Sequence, residues 1–261
     1  MGLFGFLSGV KGALPEGVFT DTGLVRKDNQ DSWFVAPDRG FFVVADGMGG
    51  GEGGAEASAI ACRMLGGADA EARGVDFRER ARAIDETFAL VNERIMSIAC
   101  ERRYRMMGTT AVVLIVDTAN PRQALVAHIG DSRAYRWRDG RLELLTRDHT
   151  VEEEILSRGL KPGERRATCS RSTSLSHVLT RCLGVEREVG ADWRRIDLKR
   201  GDRYLLCSDG LHDMLDDDEI AGCFAGGGSD SDVAARLGRA ALDAGGYDNC
   251  TLIVASPLAE A

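Results

Sequence analysis

The stretch Phe41-Phe42-Val43-Val44-Ala45-Asp46-Gly47-Met48-Gly49-Gly50-Gly51 constrains this chain more than any other. Residues 41–45 form a continuous apolar run of types that favour extended backbone, which predicts a buried strand with Asp46 at its end. The glycines that follow let the backbone pass close to whatever that carboxylate holds. The same order of residues recurs in Tyr204-Leu205-Leu206-Cys207-Ser208-Asp209-Gly210 and, reversed, in Gly245-Gly246-Tyr247-Asp248-Asn249-Cys250-Thr251. Three acids at strand ends, each close to glycine, predict one shared site.

With 261 residues and 44% apolar content, the chain can bury a full core, and one domain is expected. The excess of 41 acids over 33 bases, a formal charge of −8, excludes a nucleic-acid surface and favours cations or basic partners. Seven scattered cysteines without a Cys-x-x-Cys pair predict reduced thiols and a cytoplasmic location. None has arginine six positions later, so a cysteine-nucleophile phosphatase is excluded. The apolar opening residues lack a preceding positive charge, and Lys11 interrupts them, so neither a cleaved signal nor a membrane span is expected. Residues 1–18 read as an N-terminal extension and residues 19–256 as the domain.

In the domain, a segment at 18–25 leads into the polar turn Arg26-Lys27-Asp28-Asn29-Gln30-Asp31 and a short strand at 33–35. Residues 52–65 are alanine-rich and helical, closed by Gly66-Gly67. A second helix follows at 75–103, where Ile84, Phe88, Val91, Ile95 and Ile98 recur in steps of four and three as one core-facing stripe. Short strands are expected at 109–116, 123–129, 132–138 and 141–145, with Asp139-Gly140 as a hairpin turn. Residues 112–116 are apolar on both faces, so the economical architecture is two sheets face to face with a helical layer outside each. A short helix at 151–158 precedes a basic, aperiodic flap at 159–177. Strands at 189–194, 204–207 and 251–254 and helices at 217–224 and 231–244 complete the chain.

Two chemistries compete for the glycine-flanked acids. Gly49 to Gly54 formally satisfies G-x-G-x-x-G, with Asp69 near the place of a ribose-binding acid. A dinucleotide fold, however, needs a strand directly after the first helix, where this chain supplies a second helix. No phosphate-binding Gly-x-x-x-x-Gly-Lys motif occurs. If instead Asp31, Asp46, Asp209 and Asp248 converge, each pair about 4 Å apart repels by roughly 1 kcal/mol in water and about 4 kcal/mol at an effective dielectric of 20. Several such pairs rival the roughly 5–15 kcal/mol that keeps a domain folded, so either the acids are apart or divalent cations sit among them. Oxygen ligands without clustered His or Cys select Mg2+ or Mn2+. A water shared by two such ions is a nucleophile at neutral pH, which is equipment for hydrolysing a phosphate ester, and Arg26 beside Asp31 offers a planar cation for the phosphate.

Arg26-x-x-Asn29-Gln30-Asp31, Ala45-Asp46-Gly47-Met48-Gly49-Gly50, Gly108-Thr109-Thr110, His128-Ile129-Gly130-Asp131-Ser132-Arg133, Thr146-Arg147-Asp148-His149, Leu179-Thr180-Arg181-Cys182-Leu183-Gly184, Ser208-Asp209-Gly210-Leu211 and Asp248-Asn249, in this order, resemble the PP2C (PPM) family of metal-dependent serine/threonine protein phosphatases in its bacterial form. The resemblance implies an α+β, four-layer α/β-β/α sandwich of two antiparallel sheets with helices outside. It implies that Asp46 bridges two Mn2+ or Mg2+ ions, that the Gly47 carbonyl, Asp209 and Asp248 complete their coordination, that Asp31 assists directly or through water, and that Arg26 holds the substrate phosphate. Asp131 and Asp213 match positions associated with a third, weaker ion. The implied partners are phosphorylated proteins and a cognate Ser/Thr kinase, with the phosphatase a monomer. Gln30 stands where many eukaryotic relatives have Glu, Met48 where they have a proposed general-acid His, and Gly51 where bacterial relatives often have His. Leaving-group protonation then falls to metal-bound water or His177, and a catalytically silent phosphoprotein-binding module is the alternative reading.

Overall fold

The computed structural model describes residues 17–49, 52–159 and 175–258. In chain order it contains β1 (Val18–Asp21), β2 (Asp31–Ala36), β3 (Phe41–Met48), α1 (Glu52–Glu71), α2 (Phe77–Arg102), β4 (Gly108–Thr109), β5 (Ala111–Val116), β6 (Gln123–Ile129), β7 (Arg133–Arg138) and β8 (Arg141–Leu144). There follow α3 (Val151–Ser157), β9 (Asp192–Asp197), β10 (Arg203–Cys207), α4 (Asp209–His212), α5 (Asp217–Ala225), α6 (Asp230–Asp243) and β11 (Cys250–Ala255).

One antiparallel sheet has the order β2-β3-β5-β6-β9, with β4 paired to the end of β3. The other has the order β1-β11-β10-β7-β8, so the last strand lies between the first and β10. Alternation along the strands explains the layering. On β3 and β5, Phe41, Val43, Ala45, Val113 and Ile115 face α1 and α2, where they meet Ile84, Phe88, Val91 and Ile95. The intervening Phe42, Val44, Val112 and Leu114 face the second sheet and pack with Tyr204, Leu206 and Ile253. That sheet buries its other face, including Leu205, Leu252 and Val254, under α4, α5 and α6 through Leu211, Phe224, Val233 and Leu237. The fold is therefore the expected four-layer sandwich, and β5 is apolar on both faces because both faces are covered.

The α2 stripe is buried as its spacing predicts, and Asp76 caps the helix by accepting from the Arg78 and Glu79 amides at 2.7 and 3.0 Å. Asp139-Gly140 turns β7 into β8 with φ of 51° and 76°, the double left-handed conformation of a tight hairpin. Helix α1 departs from expectation: it does not stop at Gly66-Gly67 but runs on to Glu71. Gly66 is a packing residue, since a Cβ there would lie 2.7 Å from the Phe34 ring on β2, and the chain leaves the helix only near Gly74, at φ 87°. Two further boundaries move. Val18, counted with the extension, is already paired with Ile253, and the expected strand at 189–194 is β9, Asp192–Asp197. The remaining extension, 1–16, and most of the expected flap, 160–174, lie outside the described residues.

The dinucleotide alternative fails on Asp69. Its carboxylate is fully buried and taken up by Arg39 Nε at 2.5 Å and by Arg80 Nη2 at 2.5 Å, while Arg80 also donates to the Val116 and Arg39 carbonyls at 2.8 Å each. Helix α2, not a strand, comes directly after α1, and β3 pairs only antiparallel, with β2, β4 and β5.

Candidate active site

Asp31 and Asp46 are directly opposite in the β2–β3 register. Both continue the faces that look toward the second sheet, Asp46 after Phe42 and Val44, and Asp31 ahead of Trp33 and Val35. The second sheet answers with Asp209, the first residue of α4 directly after β10 and Ser208, and with Asp248, two residues before β11. The acids thus collect where the inter-sheet core ends and solvent begins.

Backbone fit makes this meeting possible. A Cβ on Gly47 would lie 2.1 Å from the Gly54 carbonyl oxygen and 2.6 Å from that of Gln30, so only glycine lets α1 close over the end of β3. Thr110 accepts the Asp46 amide on Oγ1 at 3.0 Å, and the Thr110 amide and Thr109 hydroxyl donate to the Asp46 carbonyl at 2.9 and 2.8 Å. Ser208 donates its hydroxyl to Asp31 Oδ2 at 2.7 Å and accepts the Thr251 amide at 3.0 Å. Asn249, 5% exposed, holds the Arg26 turn from beneath: Oδ1 accepts the Gln30 amide at 2.8 Å, and Nδ2 donates to the Thr22 and Asp28 carbonyls at 2.9 Å each. The sequence quoted Asn249 and Ser208 without a role. Their position beside the acids was the available signal, but what they bond is set by residues 43 to 227 positions away.

Arg26, Asp46, Gly47, Asp131, Asp209 and Asp248 line one open cavity of about 820 Å³. Asp31 lies buried beneath it, and Asp213 lines a small adjoining pocket together with Asp131, His177 and His212. All eight residues singled out in the sequence therefore belong to one neighbourhood. Arg26 is half exposed, with Nη2 placed 2.5 Å from Asp248 Oδ2. Met48 also lines the cavity, while Gly51 lies outside the described residues. His128, His149 and His212 are structural: His128 Nε2 is 2.7 Å from the Arg147 carbonyl, His149 Nδ1 accepts the Gly130 amide at 3.1 Å, and His212 Nε2 is 3.1 Å from the Asp131 carbonyl. His177 is the one histidine lining the cavity among the described residues, with Nδ1 3.4 Å from Asp213 Oδ2.

The electrostatics show what the site lacks on its own. Burial, opposed by the Ser208 hydrogen bond and reinforced by Asp209, pushes Asp31 up to about 7. Burial and then Asp209 push Asp213 up to about 7 as well. Asp46 and Asp131 are held well above the usual carboxylate range by burial and by Asp209, and Asp209 is raised by burial and by Asp248. Asp31 Oδ1 and Asp209 Oδ1 are buried with no hydrogen-bond partner. Buried carboxylate oxygens left without donors, in a set of carboxylates with His177 alone adding a nitrogen at its edge, fit hard divalent cations.

A pH dependence follows. A carboxyl group raised from 3.8 toward 7 on folding binds its proton more tightly in the folded chain, so its contribution to stability is lost as pH rises through the folded value. Burial holds His128, His149 and His212 below their ordinary value, which gives the opposite slope only below about pH 6.5. With chelator present, the melting temperature is expected to fall by about 5 °C between about pH 6.5 and 8, and saturating Mn2+ is expected to remove the fall. A flat profile in chelator counts against this electrostatic account.

Comparison with known proteins decides the family. A family model described as Protein phosphatase 2C matches residues 21–226. The chain belongs to the protein phosphatase 2C family. Protein phosphatase PhpP of Streptococcus pneumoniae serotype 2 (strain D39 / NCTC 7466) is 34% identical over 244 residues, covering 92% of this chain and 96% of the relative. Among solved structures, PppA, described as a key regulatory component of T6SS in Pseudomonas aeruginosa, superimposes with a TM-score of 0.79 at 32% identity, over 91% of this chain and 94% of that one. The catalytic domain of the serine/threonine protein phosphatase PstP, solved with two manganese ions, gives a TM-score of 0.77 at 32% identity over 91% and 95%. The two-sheet arrangement seen here is thus that of the protein phosphatase 2C family, and the family model extends from the end of β1 to just past α5.

Proposed function

We propose that this chain hydrolyses phosphoserine and phosphothreonine in proteins with the help of two divalent cations, Mn2+ or Mg2+. The observation that carries the reading is the pair of buried, partnerless oxygens on Asp31 and Asp209 within a group of mutually repelling acids. The PstP structure with two manganese ions supports the same cation class. Asp46 and the Gly47 carbonyl, with Asp209 and Asp248, hold the pair, and Asp31 assists from beneath. Asp131 and Asp213, on the adjoining pocket, hold a third, weaker ion. Bound cations would lower the pKa of a shared water and neutralise the phosphoryl oxygens. Asp46 is aimed by Thr109 and Thr110, and Asp31 by Ser208, so the ligands are fixed before any substrate arrives. Arg26 orients the phosphate through its planar guanidinium. Asp248, its partner at 2.5 Å, would be shared with a bound cation, and the half-exposed Arg26 side chain would then be available to the phosphate.

The substrates are phosphorylated proteins, products of a Ser/Thr kinase. All proposed ligands come from one chain, which supports a monomer. Among the described residues no helix is long and apolar enough to cross a membrane, and the described cysteines are unpaired, which supports work in the cytoplasm. The complete acid set disfavours a silent binding module. Purified protein should hydrolyse p-nitrophenyl phosphate and a phosphothreonine peptide with Mn2+, and lose both activities on chelation and in Asp209→Asn. Turnover indifferent to chelator overturns the reading.

A further inference from the structure

The acids occupy only part of the cavity. Met48, Met106, Val178 and Val185 line it as well, and the last three are 55%, 46% and 51% exposed. They come from three separate stretches of chain that meet on the wall of this cavity, Met48 and Val185 against Gly108 of β4. A Cβ on Gly108 would lie 3.2 Å from Val185 Cγ2 and 3.3 Å from Met48 Cγ, and one on Gly49 would lie 2.4 Å from the Met106 carbonyl oxygen. Gly108 and Gly49 thus draw Met48, Met106 and Val185 into one apolar shelf on the wall of the acidic cavity. Apolar surface left in water at the mouth of a polar site marks a binding surface.

The occupant follows from where the shelf lies. A cavity of about 820 Å³ is near the upper end of those that take drug-sized ligands, so it admits far more than a phosphate group. A phosphoseryl or phosphothreonyl side chain reaches Asp46 and Asp209 only through this mouth, and its own polypeptide must then lie across the wall. At about 3.3 Å per residue, the first one or two neighbours of the phosphoresidue rest on the shelf. Methionine thioethers adapt to differently shaped apolar partners.

We infer that the Met48–Met106–Val178–Val185 shelf is a specificity subsite for a bulky apolar side chain, such as Leu, Met or Phe, within two residues of the phosphoserine or phosphothreonine. The inference rests on the phosphatase reading above. It makes the enzyme selective by local sequence, over and above any recognition of the folded substrate.

The test compares kcat/KM for two phosphothreonine peptides that differ only in Leu or Asn beside the phosphoresidue, using the full chain with Mn2+. The wild-type protein is expected to prefer the Leu peptide about tenfold, a typical discrimination for an apolar pocket. Met106→Ser/Val185→Ser is expected to bring the ratio to within about twofold of unity by losing rate on the Leu peptide, while Met106→Leu keeps the preference. Should the double variant fail to fold, Val185→Ser alone is read the same way. A wild-type ratio near unity, or a ratio unchanged in the serine variants, overturns the inference. A ratio near unity that rises only when residues 160–174 are replaced by a glycine-serine linker overturns it too, since the chain's own segment then occupies the shelf. Turnover of p-nitrophenyl phosphate by the wild-type protein keeps the two readings apart: without it the phosphatase reading fails, and with it a ratio near unity removes the subsite alone.

Discussion

Asp46→Asn is expected to lower kcat by at least about a thousandfold, the equivalent of roughly 4 kcal/mol, and at the same time to raise the melting temperature of the metal-free protein. Both effects have one origin. Asp46 stands against Asp209, Asp31 and Asp131, and in the absence of cations its charge is opposed by burial and by all three. Asparagine keeps the shape and removes the charge, so the folded state loses a repulsion while the site loses the carboxylate proposed to join the two ions. Each 1 kcal/mol gained corresponds to roughly 2–4 °C in a chain of this size, so a gain of several degrees is expected in chelator. Added Mn2+ should reverse the ranking, because wild-type protein gains stability by binding it and the variant gains less. A variant that melts below wild type in chelator while retaining turnover would show that Asp46 is an ordinary structural acid.

Arg80→Met is the largest expected loss of stability. It removes the buried guanidinium that neutralises Asp69 and satisfies two backbone carbonyls, leaving Asp69 with Arg39 alone. Breaking such a buried pair costs about 3–5 kcal/mol, which lowers the melting temperature by roughly 10 °C. Asp69 is seventeen residues beyond Glu52, the start of α1, which at 1.5 Å per residue is about 25 Å along the helix from the end that closes over Gly47. Turnover measured well below the melting temperature should therefore change little. If kcat falls in parallel with stability, the two ends of α1 are coupled through the helix.

The contrast between these two acids indicates what the sequence could carry. Asp46 was readable because its surroundings are local: an apolar run before it, glycines after it, and two other acids in like settings. Asp69 was not, since Arg39 and Arg80 reach it across 30 and 11 positions, and only the packing of α1 against α2 and the turn between β2 and β3 brings them together. The α2 stripe and the Asp139-Gly140 turn were legible for the same reason as Asp46, being fixed by spacing within one element. Gly66-Gly67 misled because a helix stop and a helix contact use the same residue, and Phe34, the ring that requires glycine, is on a strand thirty-two positions earlier. The apolar shelf was invisible in one dimension, because residues 48, 106, 178 and 185 share no motif and come together only on the wall of one cavity. Arg26 lines the same cavity as the acids, and its pairing with Asp248 was not foreseen.

The position of β11 has a further consequence. The final strand is inserted between β1, at the start of the chain, and β10, and its approach carries Asp248 and Asn249 to the turn that holds Arg26. The second sheet therefore stays open until the chain has been made through Ala255, and contacts between such distant segments form slowly. A ribosome-bound nascent chain ending before residue 248 would present Asp31 and Asp46 without their counterpart from the far end. Dephosphorylation would then begin only once β11 has joined β1 and β10, and a product truncated before β11 would be inert toward phosphoproteins.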